Sequence, residues 1–185
     1  MPERLAHLLD RLGRAVHNLQ FTDGLNPAQW GALRFINRAK PATCKPSALA
    51  DYLGTTKGTI SQTLKSLENK GLVRRMAETK DRRVVRLELT QAGQATLEKD
   101  PLWQLEAAAA EMPEDVVTAT RLLSQYVKTL QGRCGLKPFG VCSECGHFGG
   151  DICSQETVTR CGLTGELIEA QEVEQICASF KAAIN

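Results

Sequence analysis

The sequence predicts a mainly α-helical chain with one small β-hairpin, followed by a tail of different character. Three observations predict it. Apolar residues recur at spacings of three and four over most of the first 130 residues, as in helices with one buried face. The period falls to two only between residues 72 and 90. From Gly132 onward Gly and Cys replace the large apolar residues.

With 185 residues, 42% hydrophobic and 24% charged, the chain has the composition of an ordinary globular protein, which excludes disorder, collagen and fibre. No run approaches the roughly 18 apolar residues of a membrane span. The start, MPERLAHLLDRLGR, meets charges before a signal-type core can form, so a cytoplasmic protein without a membrane partner is expected. The net charge of +2 hides a gradient: residues 45 to 90 carry 10 basic and 5 acidic side chains, residues 139 to 185 carry 2 and 7. A basic middle beside an acidic tail is expected where one face meets a polyanion.

The first helix follows from Leu5, Leu8, Leu9, Leu12, Val16 and Leu19, and stops near Asp23-Gly24. His7 and His17 lie on it without a Cys or carboxylate cluster and read as rim residues. Asn26 caps a second helix that has Pro27 at its first position and runs to about Ala39, where Lys40-Pro41 stops it. PSALADYLG is a short helix closed by Gly54. Thr55 or Thr56 caps KGTISQTLKSLENKG, which buries Ile60, Leu64 and Leu67. A turn of about four residues between these two is the connection of a helix-turn-helix. Lys57, Thr59, Ser61, Gln62 and Lys65 are left on the exposed face or first turn, where hydroxyls, an amide and ammonium groups can bond phosphates and reach base edges.

The period-two segment begins with LVRRM, turns at AETKDR, and returns as RVVRLELT, in which Val84, Arg86 and Glu88 alternate with Val85, Leu87 and Leu89. Thr90 with Gln91-Ala92-Gly93 opens the next helix. Two helices and a hairpin with a basic tip make a winged helix-turn-helix, whose second helix fills the major groove of double-stranded DNA while the wing reaches backbone or minor groove.

The stretch LADYLGTTKGTISQTLKSLENKGLVRRMAETKDRRVVRLELTQAG resembles the winged-helix core of the MarR family of bacterial transcription regulators. The resemblance holds as a motif over residues 49 to 93, with D-x-R at Asp81 to Arg83 and L-T-x-x-G closing the wing, and as an element order over roughly 5 to 130. It implies a homodimer on a palindromic operator, usually as a repressor, with a winged-helix domain over 26–90. It also implies a helical dimerisation region from residues 1–25 and 91–131, the latter as QAGQATLEKDPLWQLEAAAAEM and PEDVVTATRLLSQYVKTLQG. Val116 or Val117, Leu122 or Leu123, Tyr126, Val127 and Leu130 form the apolar side of the last helix. In the wing the resemblance gives Asp81 an orienting role and Arg83 a DNA contact, against a salt bridge to Asp81 or a solvated tip; Arg82 is a further candidate. A small-molecule or redox effector is the remaining partner expected. Cys44, alone between Pro41 and Pro46, reads as an incidental small residue.

Residues 134–185 form a cysteine-rich module with too few large apolar residues to order about fifty residues unaided. Cys142-x2-Cys145-Gly146 has the spacing of a metal knuckle, Cys161-Gly162 follows 16 positions later, and Cys177 a further 16. Cys142, Cys145, Cys161 and Cys177 supply the four ligands of a tetrahedral Zn2+ site, a small Cys-rich metal knuckle; four-cysteine sites also hold an iron–sulfur cluster. Isolated disulfides are disfavoured in a reducing cytosol. Cys153, Cys134 and His147 are surplus, and Cys153 can stand in for one of the four. Val173, Ile176, Cys177 and Phe180 have helical spacing, which predicts a terminal helix. The module is expected to fold apart from the winged helix, and Glu166, Glu169, Glu172 and Glu174 to keep it off DNA.

An enzyme is not expected, because the sequence holds no Gly-rich phosphate loop after a strand, no nucleophile elbow and no paired His and carboxylate motif. A protein–protein adaptor is the third class, and the basic recognition face argues against it.

Overall fold

Local sequence sets the boundaries of the elements. The computed structural model describes residues 2–77, 85–149 and 158–181. Helix α1 spans Pro2–Leu19 and α2 Pro27–Arg38. Asn26 closes a reciprocal capping box with Gln29, both bonds at 3.0 Å, ahead of Pro27. Helix α3 (Pro46–Tyr52) and α4 (Lys57–Asn69) follow, the second capped by Thr56, whose hydroxyl accepts the Thr59 N–H at 3.1 Å. Strands β1 (Val73–Ala77) and β2 (Val85–Leu89) pair antiparallel from Val73 opposite Leu89 to Ala77 opposite Val85. The wing tip, with Asp81, Arg82 and Arg83, lies outside the described residues.

Trp30, Leu33 and Phe35 of α2, Leu49 of α3, and Ile60, Leu64 and Leu67 of α4 are fully buried together. This is the winged-helix core. Thr90 caps α5 (Gln91–Leu97) and ties it to β1, since its hydroxyl donates to the Gly71 carbonyl at 2.6 Å and its N–H to that of Leu72 at 3.1 Å. Gly93 lies so close to the Leu72 carbonyl that a Cβ there would overlap it, which gives the L-T-x-x-G pattern its physical reason.

The stretch 91–112 is not one helix. It divides into α5 and α6 (Trp103–Ala110), because Pro101 has no N–H to give and Asp100 turns its carboxylate to other work. That carboxylate takes the Leu102 N–H at 3.0 Å and a two-pronged contact from Arg34 at 2.7 and 2.9 Å, anchoring the break to α2. Helix α7 spans Pro113–Cys134 and ends on Gly135, whose φ of 62° suits a left-handed stop. None of α1, α6 and α7 buries a residue within the protomer. Their apolar stripes, Leu5, Leu8 and Leu12 on α1 and Val117 to Leu130 on α7, face outward.

The tail departs from expectation twice. Residues 170–177 form no α-helix: Ala170–Glu172 is one 3-10 turn, and Ile176–Cys177 is a strand, β6, paired with β3 (Gly140–Val141). The backbone of Ile176 is committed elsewhere, since its carbonyl accepts the Lys40 N–H at 2.9 Å and the residue bridges Ala39 in parallel. A second small sheet joins β4 (Val158–Arg160) to β5 (Leu167–Glu169). Nor does the module stand apart. Ile176 belongs to the winged-helix core, Phe139 and Ala178 pack on it, and the Phe139 ring meets Tyr52 edge-on at 5.3 Å. The spacing of Val173, Ile176 and Phe180 thus reflects burial in a sheet and loop rather than a helix face.

Candidate nucleic-acid interface and cysteine cavity

On α4 the sequence separates two faces. Ile60, Leu64 and Leu67 enter the core, so Lys57, Thr59, Ser61, Gln62 and Lys65 are exposed on the other side, with Thr56 exposed and Thr55 half-buried at the start. Among the described residues, neither Lys57 nor Lys65 has a carboxylate within ion-pair distance. A groove lined by Lys45, Pro46, Ser47, Lys57, Ser61, Leu64, Arg75 and Val85 runs between α4 and the base of the wing. The hairpin is braced by Glu88, which receives Arg74 at 2.8 Å and Arg86 at 2.7 Å. Those bonds, Arg86 first, hold the Glu88 carboxyl below its ordinary value. The arrangement leaves a polar helix beside a charged strand pair, the shape that enters a major groove.

The second site is a cavity of about 370 Å³ between the winged helix and the tail. Cys142, Cys145, Cys161 and Cys177 all line it, with His147, Phe148, Thr164, Ile168 and Ser179. Its other wall is Lys40, Ala42, Thr43 and Lys45, from the loop between α2 and α3. The knuckle is built by backbone bonds: Cys145 N–H to the Cys142 carbonyl at 3.0 Å, Phe148 N–H to that of Cys145 at 2.9 Å, and Cys142 N–H to that of Val173 at 2.8 Å. Across from it, the Gly162 N–H donates to the His147 carbonyl at 2.7 Å, an approach that places the Cys161 turn against the first knuckle.

The thiols sit in different fields. Burial pushes the Cys142 thiol above its ordinary value; Lys40, by charge and hydrogen bond, pulls it back, while Cys177 and Cys145 add to the rise. Burial likewise raises Cys177, opposed by the Ser179 N–H and by Lys40. At Cys161 burial also raises, but the hydroxyl and N–H of Thr164 and the N–H of Leu163 outweigh it, so this thiol lies below its ordinary value. Among the described residues, no three His, Cys, Asp or Glu side chains come close enough to share a single ion. Cys134 instead ends α7 and is exposed, and Cys153 lies outside the described residues. Cys44 is buried in the core, where loss of hydration pushes its thiol up to about 11.

The four cysteines singled out in the sequence line one cavity, and the polar residues of α4 are exposed, as their spacing predicts. Lys40, Thr164 and Ser179, which also line it, were missed. Lys40 stands about a hundred residues from Cys142 in the chain and reads locally as a helix stop, so no spacing signals it. Thr164 and Ser179 lie two or three residues after Cys161 and Cys177, the positions from which a turn returns N–H groups to a sulfur, and that signal was available.

Residues 23–84 match the sequence profile of the MarR family. Over 76 residues the chain is 36% identical to the HTH-type transcriptional repressor YetL of Bacillus subtilis, covering 41% of this chain and 46% of the relative. The chain therefore matches less than half the length of that curated relative. The transcriptional regulator BldR of Sulfolobus solfataricus superposes with a TM-score of 0.52 at 27% identity, over 70% of this chain and 94% of its own. Streptococcus pneumoniae FabT, solved in complex with DNA, has a TM-score of 0.59 at 22% identity, over 71% of this chain and 99% of its own, a likeness of fold. Over residues 23–84 the chain is thus similar to the MarR family, and its winged helix has the fold of the solved regulators. Among the described residues, no helix is long and apolar enough to cross a membrane.

Proposed function

We propose that this chain, whose residues 23–84 match the MarR family, is a homodimeric repressor that binds a palindromic operator, and that its tail is a metal-binding part of that regulator. The observation that carries the first reading is α4: a helix whose apolar face is fully buried presents Lys57, Thr59, Ser61, Gln62 and Lys65 outward beside the wing. The homodimer is supported by the stripes of α1 and α7, which are outward-facing in the protomer and which a second copy would cover. In a two-fold dimer the two copies of α4 lie about one turn of DNA apart, and the operator mirrors that symmetry. Arg83, with Arg82, is assigned to the wing's contact with DNA, and Asp81 to its orientation.

The test is binding of the full chain to a palindromic duplex selected from random sequence, with mass measurement of free and bound protein. A dimer that binds the palindrome at least tenfold more tightly than a single half-site is expected. A monomer that binds a half-site as tightly as the palindrome would overturn the reading.

A further inference from the structure

We propose that Arg34 is a positioning residue for operator binding: the joint it makes with Asp100 and Gln20 fixes the winged helix against the helices of the dimer, and so sets the distance between the two copies of α4. The inference rests on the homodimer reading and names the contact that holds its geometry.

Three segments meet at one guanidinium. Arg34 leaves α2 between Leu33 and Phe35, both fully buried in the winged-helix core. Its Nε and Nη2 donate to the two carboxylate oxygens of Asp100 at 2.7 and 2.9 Å, at the break between α5 and α6. Its Nη1 donates to the side-chain oxygen of Gln20, just beyond α1, at 2.8 Å, and the Gln20 amide donates in turn to the Val16 carbonyl of α1 at 2.9 Å. Gln20 is 8% exposed, and the Arg34 and Asp100 side chains 19% and 22%. A pair screened from water in this way and joined by a planar fork holds an angle as well as a distance. An exposed pair such as Arg14 with Asp10 holds neither.

The joint matters because little else spans it. None of α1, α6 and α7 buries a residue within the protomer, so apolar packing does not fix their angle to the core. Among the described residues, no other side-chain hydrogen bond or ion pair joins the end of α1 or the α5–α6 break to the winged helix. The route through the tail, from Lys128 to Glu144 and from Lys137 to Asp51, runs over pairs that are about half exposed. Because α2 and α4 share one core, a swing of the winged helix about Arg34 carries α4 with it. Loosening the joint adds a motion that the operator must freeze on binding.

The experiment titrates full-length wild type, Arg34→Met, Asp100→Asn and the double variant against the selected palindrome, against duplexes whose half-sites are one base pair closer or further apart, and against a single half-site. Each added pair moves a half-site by about 3.4 Å and turns it around the duplex, so wild type should lose affinity about tenfold. The single variants should bind the palindrome about three- to tenfold more weakly, lose much less on the altered spacings, and bind the half-site as wild type does. Asp100→Asn keeps an acceptor for the Leu102 N–H and leaves α2 untouched, so the test survives an Arg34→Met that fails to fold. The double variant should be no looser than Arg34→Met, since both changes remove one joint. A wild type without preference for the palindrome overturns the dimer reading and the joint with it. A wild type that prefers the palindrome, beside variants with the same spacing profile, overturns the joint alone. Half-site binding that falls as far as palindrome binding also overturns the joint, because Arg34 then acts only within the winged helix.

Discussion

Ile176 joins the cysteine tail to the winged helix, and its removal should weaken both. Its side chain is 7% exposed within a core that includes Trp30, Leu33 and Leu49, and its carbonyl holds the Lys40 N–H. Ile176→Ala deletes three carbon groups; at about 0.8 kcal/mol for each buried CH₂, the transfer loss is about 2.4 kcal/mol. The cavity left between two packed segments adds to it, which places the cost at about 2–4 kcal/mol. Trp30 is fully buried and Trp103 is 60% exposed, so in a Trp103→Phe background fluorescence follows the winged-helix core alone. Urea unfolding at fixed protein concentration should show the Trp30 transition moving to lower denaturant in Ile176→Ala, with an unchanged slope. A Trp30 transition at the wild-type midpoint would refute the shared core and return the tail to an independent folding unit.

Three further outcomes can be measured. Lys57→Ala and Lys65→Ala should each weaken DNA binding across sequences and reduce the salt slope by about 1, read by anisotropy from low to moderate salt, whereas Arg83→Ala should cost about 1–3 kcal/mol. Unchanged binding in all three would remove this face from DNA. Leu8→Asp with Leu12→Asp places charges in the exposed α1 stripe and should yield monomers by light scattering while helix content is kept; a persistent dimer locates the interface elsewhere. With its thiol held near 11, Cys44 is ionised to about one part in a thousand at pH 8, so alkylation of folded protein should mark exposed Cys134 and spare Cys44. The contrast should fade as pH approaches 11, because ionisation then supplies thiolate; equal labelling at pH 8 would contradict the burial.

The winged helix was legible because its signals are local. Asn26 with Pro27, Thr56 before Lys57, and Thr90 before Gly93 each make a cap within three residues, and the structure places them where the pattern does. The four cysteines were likewise legible as a set, and they line one cavity. What failed were features decided across the chain. The period of Val173, Ile176 and Phe180 fits a helix, but the Ile176 backbone is taken by Lys40 and by β3, a competition invisible from residues 170 to 180 alone. The apolar and alanine-rich run 102–110 suggests one long helix continuous with α5, yet Arg34, in a different helix, recruits Asp100 at the break. A half-buried Lys40 beside three thiols is likewise a product of docking.

The loop from Lys40 to Lys45 is a party wall. Lys45 lines the cysteine cavity on one side and, on the other, the groove shared with Lys57, Ser61 and Arg75. A change of charge inside the cavity therefore acts on a cation that also borders the groove, over one side chain rather than across the protein. Each protomer would carry its own wall. In a dimer, a change of charge in one protomer's cavity would then bear on that protomer's groove and leave the other's untouched.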